Sequence, residues 1–305
     1  MAILTEVWAK DIAENIFPDN SFMVESMDSS MWVDNDKVHR PQAGAPPVVE
    51  RNRTVVPATA VKRTDSDNAY ELDEFTSTPS FIQDIEEIET SYNKRASVLT
   101  NHIREINKVA ANWLAYRWGA TSASAILRTN GDARPANVVG ATGNRKMLTI
   151  EDIIKAKAVM DDMEIVAEGR CMLLPAHMYN DLLQKQWQDL VSLDKTGKAR
   201  IAKGQIMELF GFKIYLRGKK NILQYSNAAT PVLRAPDAAA LGTANAAALL
   251  WHPDFVERAL GTVKVYADED KPEYYGSLFS AMVRGGGQKY YTDGRGVISI
   301  VESAA

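Results

Sequence analysis

Apolar residues between Pro79 and Trp118 recur at Phe81, Ile85, Ile88, Tyr92, Ala96, Leu99, Ile103, Ile106, Ala110 and Trp113. Steps of three and four are the period of one helix face, so the spacing predicts a single long helix around which the chain is organised. Thr78 or Ser80 is the expected N-cap, and Pro79 suits the first turn because its missing N–H has no partner there. Asp84, Glu86, Glu87 and Glu89 stand near the start and Arg104, Lys108 and Arg117 near the end, which complements the helix dipole. Gly119 stops the helix. At ~1.5 Å per residue the rod is roughly 55–60 Å long. A coiled coil or a core helix shows the same pattern, so the flanking segments must decide.

Thr5 to Phe17 reads as a short amphipathic helix, with Val7, Trp8, Ile12 and Ile16 near one face and Pro18 ending it. Ser21 to Pro47 has no sustained period and holds Pro41, Gly44, Pro46 and Pro47. It reads as an arm lying on its own body or on a neighbour. Val48 to Thr78 reads as a β-hairpin, with arms Val48–Val56 and Ala69–Phe75 and a turn at Asp65-Ser66-Asp67-Asn68. Arg51, Arg53, Lys62 and Arg63 lead, and Glu71, Asp73 and Glu74 follow. An isolated two-stranded ribbon is marginal in water, so the hairpin needs a partner surface.

Ala120 to Arg145 reads as a loop. Thr149 with Asp152 is a capping-box variant opening a helix over Ile150–Met163. Arg170–Leu174 is a buried-strand candidate, and Ala176–Trp187 is a helix. Alternation toward Leu216 predicts a strand, and alanine-rich Asn221–Ala248 reads as a loop. Leu249–Trp251, Val263–Tyr266, Tyr275–Val283 and Val297–Val301 are strand candidates, with Asp293-Gly294 as a hairpin turn between the last two. The order of arm, hairpin, long helix, βα region and closing strands is α+β.

The 305 residues allow one large or two modest domains, and the net charge of −4 argues against a strongly basic nucleic-acid binder. Cys171 is the sole cysteine, so no intrachain disulfide forms. Residues Met1 to Phe17 lack the continuous apolar core of a signal peptide, and no apolar run reaches ~18 residues, so no membrane association is expected. Candidate chemistry is sparse. Gly197-Lys198 is followed by Ala199, which breaks a P-loop. Gly285-Gly286-Gly287 lacks a dinucleotide-site context and reads as a strand that bends or is closely approached. Cys171 reads as a buried strand residue, Asp268-Glu269-Asp270 as a solvated turn, and His39, His102, His177 and His252 as scattered. No catalytic residue, cofactor or metal is expected, and the chain is not expected to be an enzyme.

This order resembles the major capsid proteins of tailed double-stranded DNA bacteriophages, whose fold is named after phage Hong Kong 97. Three segments carry the resemblance. Arg170-Cys171-Met172-Leu173-Leu174-Pro175 with Tyr179 and Leu182-Leu183 looks like the strand–Pro–helix of the axial domain. Gly204-Gln205-Ile206 through Gly211-Phe212-Lys213-Ile214-Tyr215 looks like the family's G-x-I-x-x-x-x-G-F-x-V/I-Y. Leu250-Trp251-His252-Pro253 through Tyr274-Tyr275-Gly276, with the closing Asp293-Gly294 and Val297–Val301, looks like the return to the peripheral domain.

The resemblance implies an N-terminal arm (1–47), an extended β-hairpin or E-loop (48–78), a spine helix and the start of the peripheral domain (79–146), an axial domain (147–250) and return strands (251–305). It implies a virion protein assembling with itself into hexamers and pentamers around double-stranded DNA, without sequence-specific binding, in the bacterial host cytoplasm. It also implies a portal and a separate scaffolding protein, since the chain has no room for a fused helical scaffold, with a decoration protein as a further partner. Arg51, Arg53, Lys62, Arg63, Glu71, Asp73 and Glu74 are then the candidate intersubunit contacts. Some relatives crosslink a loop lysine to a neighbour's asparagine; Lys62 is near the hairpin tip, and nothing identifies its asparagine. A bacterial encapsulin of the same fold is the alternative, which the arm at Ser21–Pro47 disfavours; a soluble enzyme ranks below it.

Overall fold

The computed structural model describes residues 10, 12, 21–44, 47–54, 56, 57, 59–83, 94–185, 208–219, 222–271 and 275–305. A short 3-10 turn (Phe22–Val24) and a two-residue strand (Met27–Asp28) precede a hairpin of β1 (Lys37–Gln42) and β2 (Ser66–Glu71). β3 (Asp73–Thr76) and β4 (Ser80–Gln83) come before helix α1 (Lys94–Trp118). Next are β5 (Ile126–Arg128), α2 (Ile150–Asp162), β6 (Cys171–Pro175), α3 (Ala176–Lys185), β7 (Phe212–Arg217) and β8 (Leu223–Tyr225). β9 (Asn245–Trp251), β10 (Val256–Lys271), β11 (Gly276–Lys289) and β12 (Val297–Val301) close the chain.

One sheet is the long antiparallel ribbon of β10 and β11, extended by β3 and β4 along β11 and by Met27–Asp28 along β10. α1 lies across it, with Ile106 and Ala110 packed in one cluster with Phe75, Ala281 and Val283. The second sheet is centred on β9, with β12 along one edge and β6 and β8 along the other. Side chains in a strand alternate between faces, and a strand covered on both sides reads as one apolar run. β6 shows both effects: Met172 and Leu174 join the cluster under α2 and α3, while Cys171 and Leu173 join the opposite cluster with Trp118 and Trp251.

The capping box is present: Thr149 Oγ1 accepts from the Asp152 amide and Asp152 Oδ2 accepts from the Thr149 amide. The three glycines lie in β11 beneath other elements. A Cβ on Gly287 would stand 2.2 Å from the Glu257 carbonyl oxygen and 2.5 Å from Leu114 Cδ1 of α1. Missing side chains therefore let the helix cross the ribbon closely. Gly287→Ala is expected to cost about 2 kcal/mol, within the overpacking range; an unshifted denaturation midpoint would contradict this packing.

Lys94–Trp118 is helical, as expected, and spans about 37 Å at 1.5 Å per residue; the segment before it lies outside the described residues. Several other sequence expectations are corrected. Ser80–Gln83 is a strand paired with Gly276–Phe279, so neither Thr78 nor Ser80 caps the helix. Ile82 is buried and Phe81 exposed, the alternation of a strand, and the open edge of β11 supplies the partner. Residues 84–93, with their four acidic side chains, lie outside the described set, as do most of Thr5–Phe17 and the 186–207 stretch. The first hairpin arm is Lys37–Gln42, not Val48–Val56, whose described residues form no strand. Ala120–Arg145 contains β5 and a small ribbon of Ala133–Pro135 with Asn144–Lys146. Asn221–Ala248 contains β8 and the start of β9, whose seven residues are all buried. Ala246, Ala247 and Ala248 are the small residues of a central strand. Asp293-Gly294 does form a turn, but β11 and β12 belong to different sheets, so it is no hairpin.

Candidate intersubunit surface

β1 and β2 pair from Lys37↔Glu71 to Gln42↔Ser66, which leaves 43–65 as a loop beyond the last pair. Four of its valines face water: Val48, Val49, Val56 and Val61 are 82–89% exposed. Arg51 and Lys62 are exposed and form no ion pair with the described residues. Arg53 Nε donates to Glu50 (3.1 Å), and Arg63 pairs with Asp65 (2.7 Å). The Arg63 hydrogen bond, then the Gly44 N–H, hold the Asp65 carboxyl below its ordinary value. These pairs are local and exposed, so solvent screening leaves them little weight in stability.

The three acidic candidates occupy a different place. Glu71 pairs across the hairpin with Lys37 (2.7 Å), Asp73 with Arg117 of α1 (3.0 Å) and Glu74 with Arg284 of β11 (2.9 Å). Glu71 ties the two arms of the hairpin together, and Asp73 and Glu74 fasten the strand that follows it to the body. The seven candidate contacts thus fall into a basic loop paired only within itself and an acidic root paired to other elements, and no ion pair among the described residues joins the two groups.

The described part of the arm lies on its own body. Phe22 meets Trp118 and Trp251 edge-on, at 5.9 and 6.1 Å. Arg258 Nη1 donates to the carbonyls of Met23 (3.3 Å), Val24 (3.0 Å) and Ser26 (2.7 Å). Lys289 Nζ donates to the Gly119 carbonyl (2.9 Å), just past the end of α1, where the Gly119 amide donates back to Ala115 and Tyr116.

Two buried charge clusters escape the pattern-based reading. In the first, Glu257 accepts from Ser29 and Arg40 at the hairpin root. In the second, Arg134 donates to Asp181 (2.9 Å) and Glu302 (2.5 Å), and His177 Nε2 lies 3.1 Å from Glu302 Oε1. The available signal was a lone Glu257 or Glu302 within a β pattern, which does not name its partners. A groove of about 770 Å³ runs between α1 and the β3–β4 segment, floored by Phe75, Ile106 and Trp113. His102 lines it with Nε2 unpartnered, and burial lowers its pKa. Among the described residues no cluster of three His, Cys, Asp or Glu side chains suits a metal.

Cys171 is wholly buried, and burial pushes its thiol up to about 12. The thiolate is the reactive form. The native protein is therefore expected to leave a disulfide thiol reagent unconsumed at pH 8 and to consume one equivalent when denatured; fast native reaction would contradict the buried strand.

No family model matches the chain, and no curated protein matches it. Solved structures do match. A chain of the Ralstonia phage GP4 capsid superposes with a TM-score of 0.62 and 13% identity, over 96% of this chain and 90% of its own. A chain of the cyanophage P-SCSP1u capsid gives 0.62 and 16% identity, over 90% and 86%. A chain from Mycobacterium phage Che8 gives 0.58 and 17%, over 95% and 90%. At these identities the likeness is one of fold. The chain adopts the Hong Kong 97-like, α+β fold of tailed-phage major capsid proteins.

Proposed function

We propose that this chain is a major capsid subunit that assembles with itself, as hexamers and pentamers, into an icosahedral shell enclosing double-stranded DNA. The observation that carries the reading is a capsid fold matched across nearly the full length of both chains, 96% and 90% for the phage GP4 capsid. The role is structural rather than enzymatic. The exposed valine-bearing basic loop supports it, because a shell subunit buries area on several neighbours, beyond the ~1,600 Å² of one standard contact.

On this reading 1–47 is the arm, 79–146 the spine and start of the peripheral domain, 147–250 the axial domain and 251–305 the return strands. The E-loop assigned to 48–78 takes its first strand from β1. Arg51, Arg53, Lys62 and Arg63 meet neighbouring subunits, while Glu71, Asp73 and Glu74 set the loop's direction. The net charge of −4 suits DNA held without sequence-specific contacts, since the counterion-release term of basic proteins is weak. No described helix is long and apolar enough to cross a membrane. The partners are a separate scaffolding protein, a portal and a decoration protein; the product is the virion, assembled in the bacterial host cytoplasm.

The test is light scattering and sedimentation of the protein expressed alone and with its flanking genes. Particles of many copies are expected with the scaffold present. A monomer under both conditions would overturn the reading.

A further inference from the structure

The root of the β1–β2 hairpin holds a buried charge whose hydrogen bonding is half complete. Glu257 of β10 is fully buried. Its Oε2 accepts from Ser29 Oγ (2.6 Å) and Arg40 Nε (3.2 Å), and Arg40 Nη2 donates to Ser29 Oγ (3.3 Å). Glu257 Oε1 has no partner, and neither has the hydroxyl of buried Tyr70 on β2. The two orphans are neighbours: Tyr70 packs in one cluster with Ala259, two residues from Glu257 on the same buried face of β10. A buried acceptor and a buried donor left unpaired side by side each retain their desolvation cost, and native interiors rarely keep such pairs.

The surroundings define a pivot. On the body side, Trp118 Nε1 donates to the Glu257 carbonyl (3.0 Å), which ties this point of β10 to α1. On the hairpin side, Asn68 Nδ2 donates to the Tyr290 carbonyl (3.0 Å) and Asn68 Oδ1 accepts from Gln288 (3.2 Å). Asn68 and Tyr70 are two residues apart, so they share a face of β2 with about 7 Å between them. Arg40 holds the hairpin where it is, with its guanidinium between the rings of Trp32 (5.2 Å) and Tyr290 (5.5 Å).

We propose that Glu257 is the positioning residue for the hairpin, with two settings. In the first, described here, Arg40 and Ser29 hold Oε2; in the second, the hairpin turns about Asn68 and Tyr70 donates to Oε1. The loop 43–65 lies at the far end of the hairpin, so a small turn at the root moves it furthest. That the two settings change the angle between subunits rests on the capsid reading; the pivot itself is a property of the single chain.

The test uses the full-length, unassembled subunit, so its outcome is separate from whether shells form. Nitroxide labels on Ala69→Cys in β2 and Val109→Cys in α1, both exposed, report the hairpin angle by pulsed electron resonance, while buried Cys171 escapes labelling. One narrow distance is expected for the otherwise native chain. Arg40→Gln is expected to add a second resolved distance, and adding Tyr70→Phe to it is expected to abolish that second distance. A merely structural role would lower stability without creating or removing a distance. The native distribution in folded Arg40→Gln, or a second distance that survives Tyr70→Phe, would overturn the proposal. If Arg40→Gln does not fold, Ser29→Ala weakens the same setting: the second distance is expected, and its absence counts equally against the pivot.

Discussion

Glu302→Ala is expected to destabilise the fold by about 3–5 kcal/mol, the usual cost of removing one partner from a buried ion pair. Glu302 is fully buried, and its two oxygens accept from Arg134 Nη2 (2.5 Å) and the Ala246 amide (3.0 Å). Removing it leaves Arg134 with one carboxylate, Asp181, among the described residues and strips an acceptor from the first residues of β9. The midpoint of thermal unfolding should fall by about 5–8 °C, since a chain of this size loses about 1.5 °C per kcal/mol. Glu302→Gln keeps the shape and should lose less.

Acid probes the same site. Burial pushes the Glu302 pKa up, but the His177 hydrogen bond and the Arg134 charge outweigh it and leave it below its ordinary 4.5. A depressed folded-state pKa adds stability above the unfolded value, and that stability is lost as pH falls through the folded value. Wild type therefore sheds this contribution below about pH 4.5, and Glu302→Ala has none to shed. Asp181 has the opposite sign: burial raises its pKa despite Arg134, so its penalty fades as pH falls. The stability gap between wild type and Glu302→Ala should narrow from pH 7 toward pH 3. A constant gap would show that the carboxylate charge contributes nothing.

The second large effect is on assembly. Gln42 and Ser66 are paired, so residues 43–65 can be replaced by Asn-Gly, a two-residue connection that suits antiparallel strands. The loop's described charges pair only with one another or not at all, so the subunit's own melting point should change little. Closed particles should fall below detection, because the exposed valines and the Arg51 and Lys62 cations go together. Normal particle yield from this variant would show that the loop carries no intersubunit contact.

Legibility in the sequence followed local physics. The capping box at Thr149 and Asp152, the apolar run of β6 and the run of β12 were readable because local hydrogen bonding or burial on both faces fixes their residue types. The end of α1 was readable at Gly119, and its start was not. Ser80–Gln83 is too short for its period to be separated from a helix's, and its state depends on β11, nearly 200 residues away. Valines at 48 and 49 look like a strand, yet pairing needs a partner; Lys37–Gln42 looks irregular, yet Ser66–Glu71 supplies one. Alanines of β9 read as a spacer because small residues signal close packing only once the neighbouring strands are known. The loop cations were identified as a surface from their run along the chain, whereas the Glu257 and Glu302 clusters join residues more than 100 positions apart and leave no spacing to find.

The capsid reading is tested most directly by electron cryomicroscopy of the protein coexpressed with its scaffold. The account predicts closed icosahedral shells of hexamers and pentamers in which residues 43–65 of each subunit lie on a neighbour and Val48, Val49, Val56 and Val61 are covered. Discrete small oligomers with that loop still in solvent would contradict it.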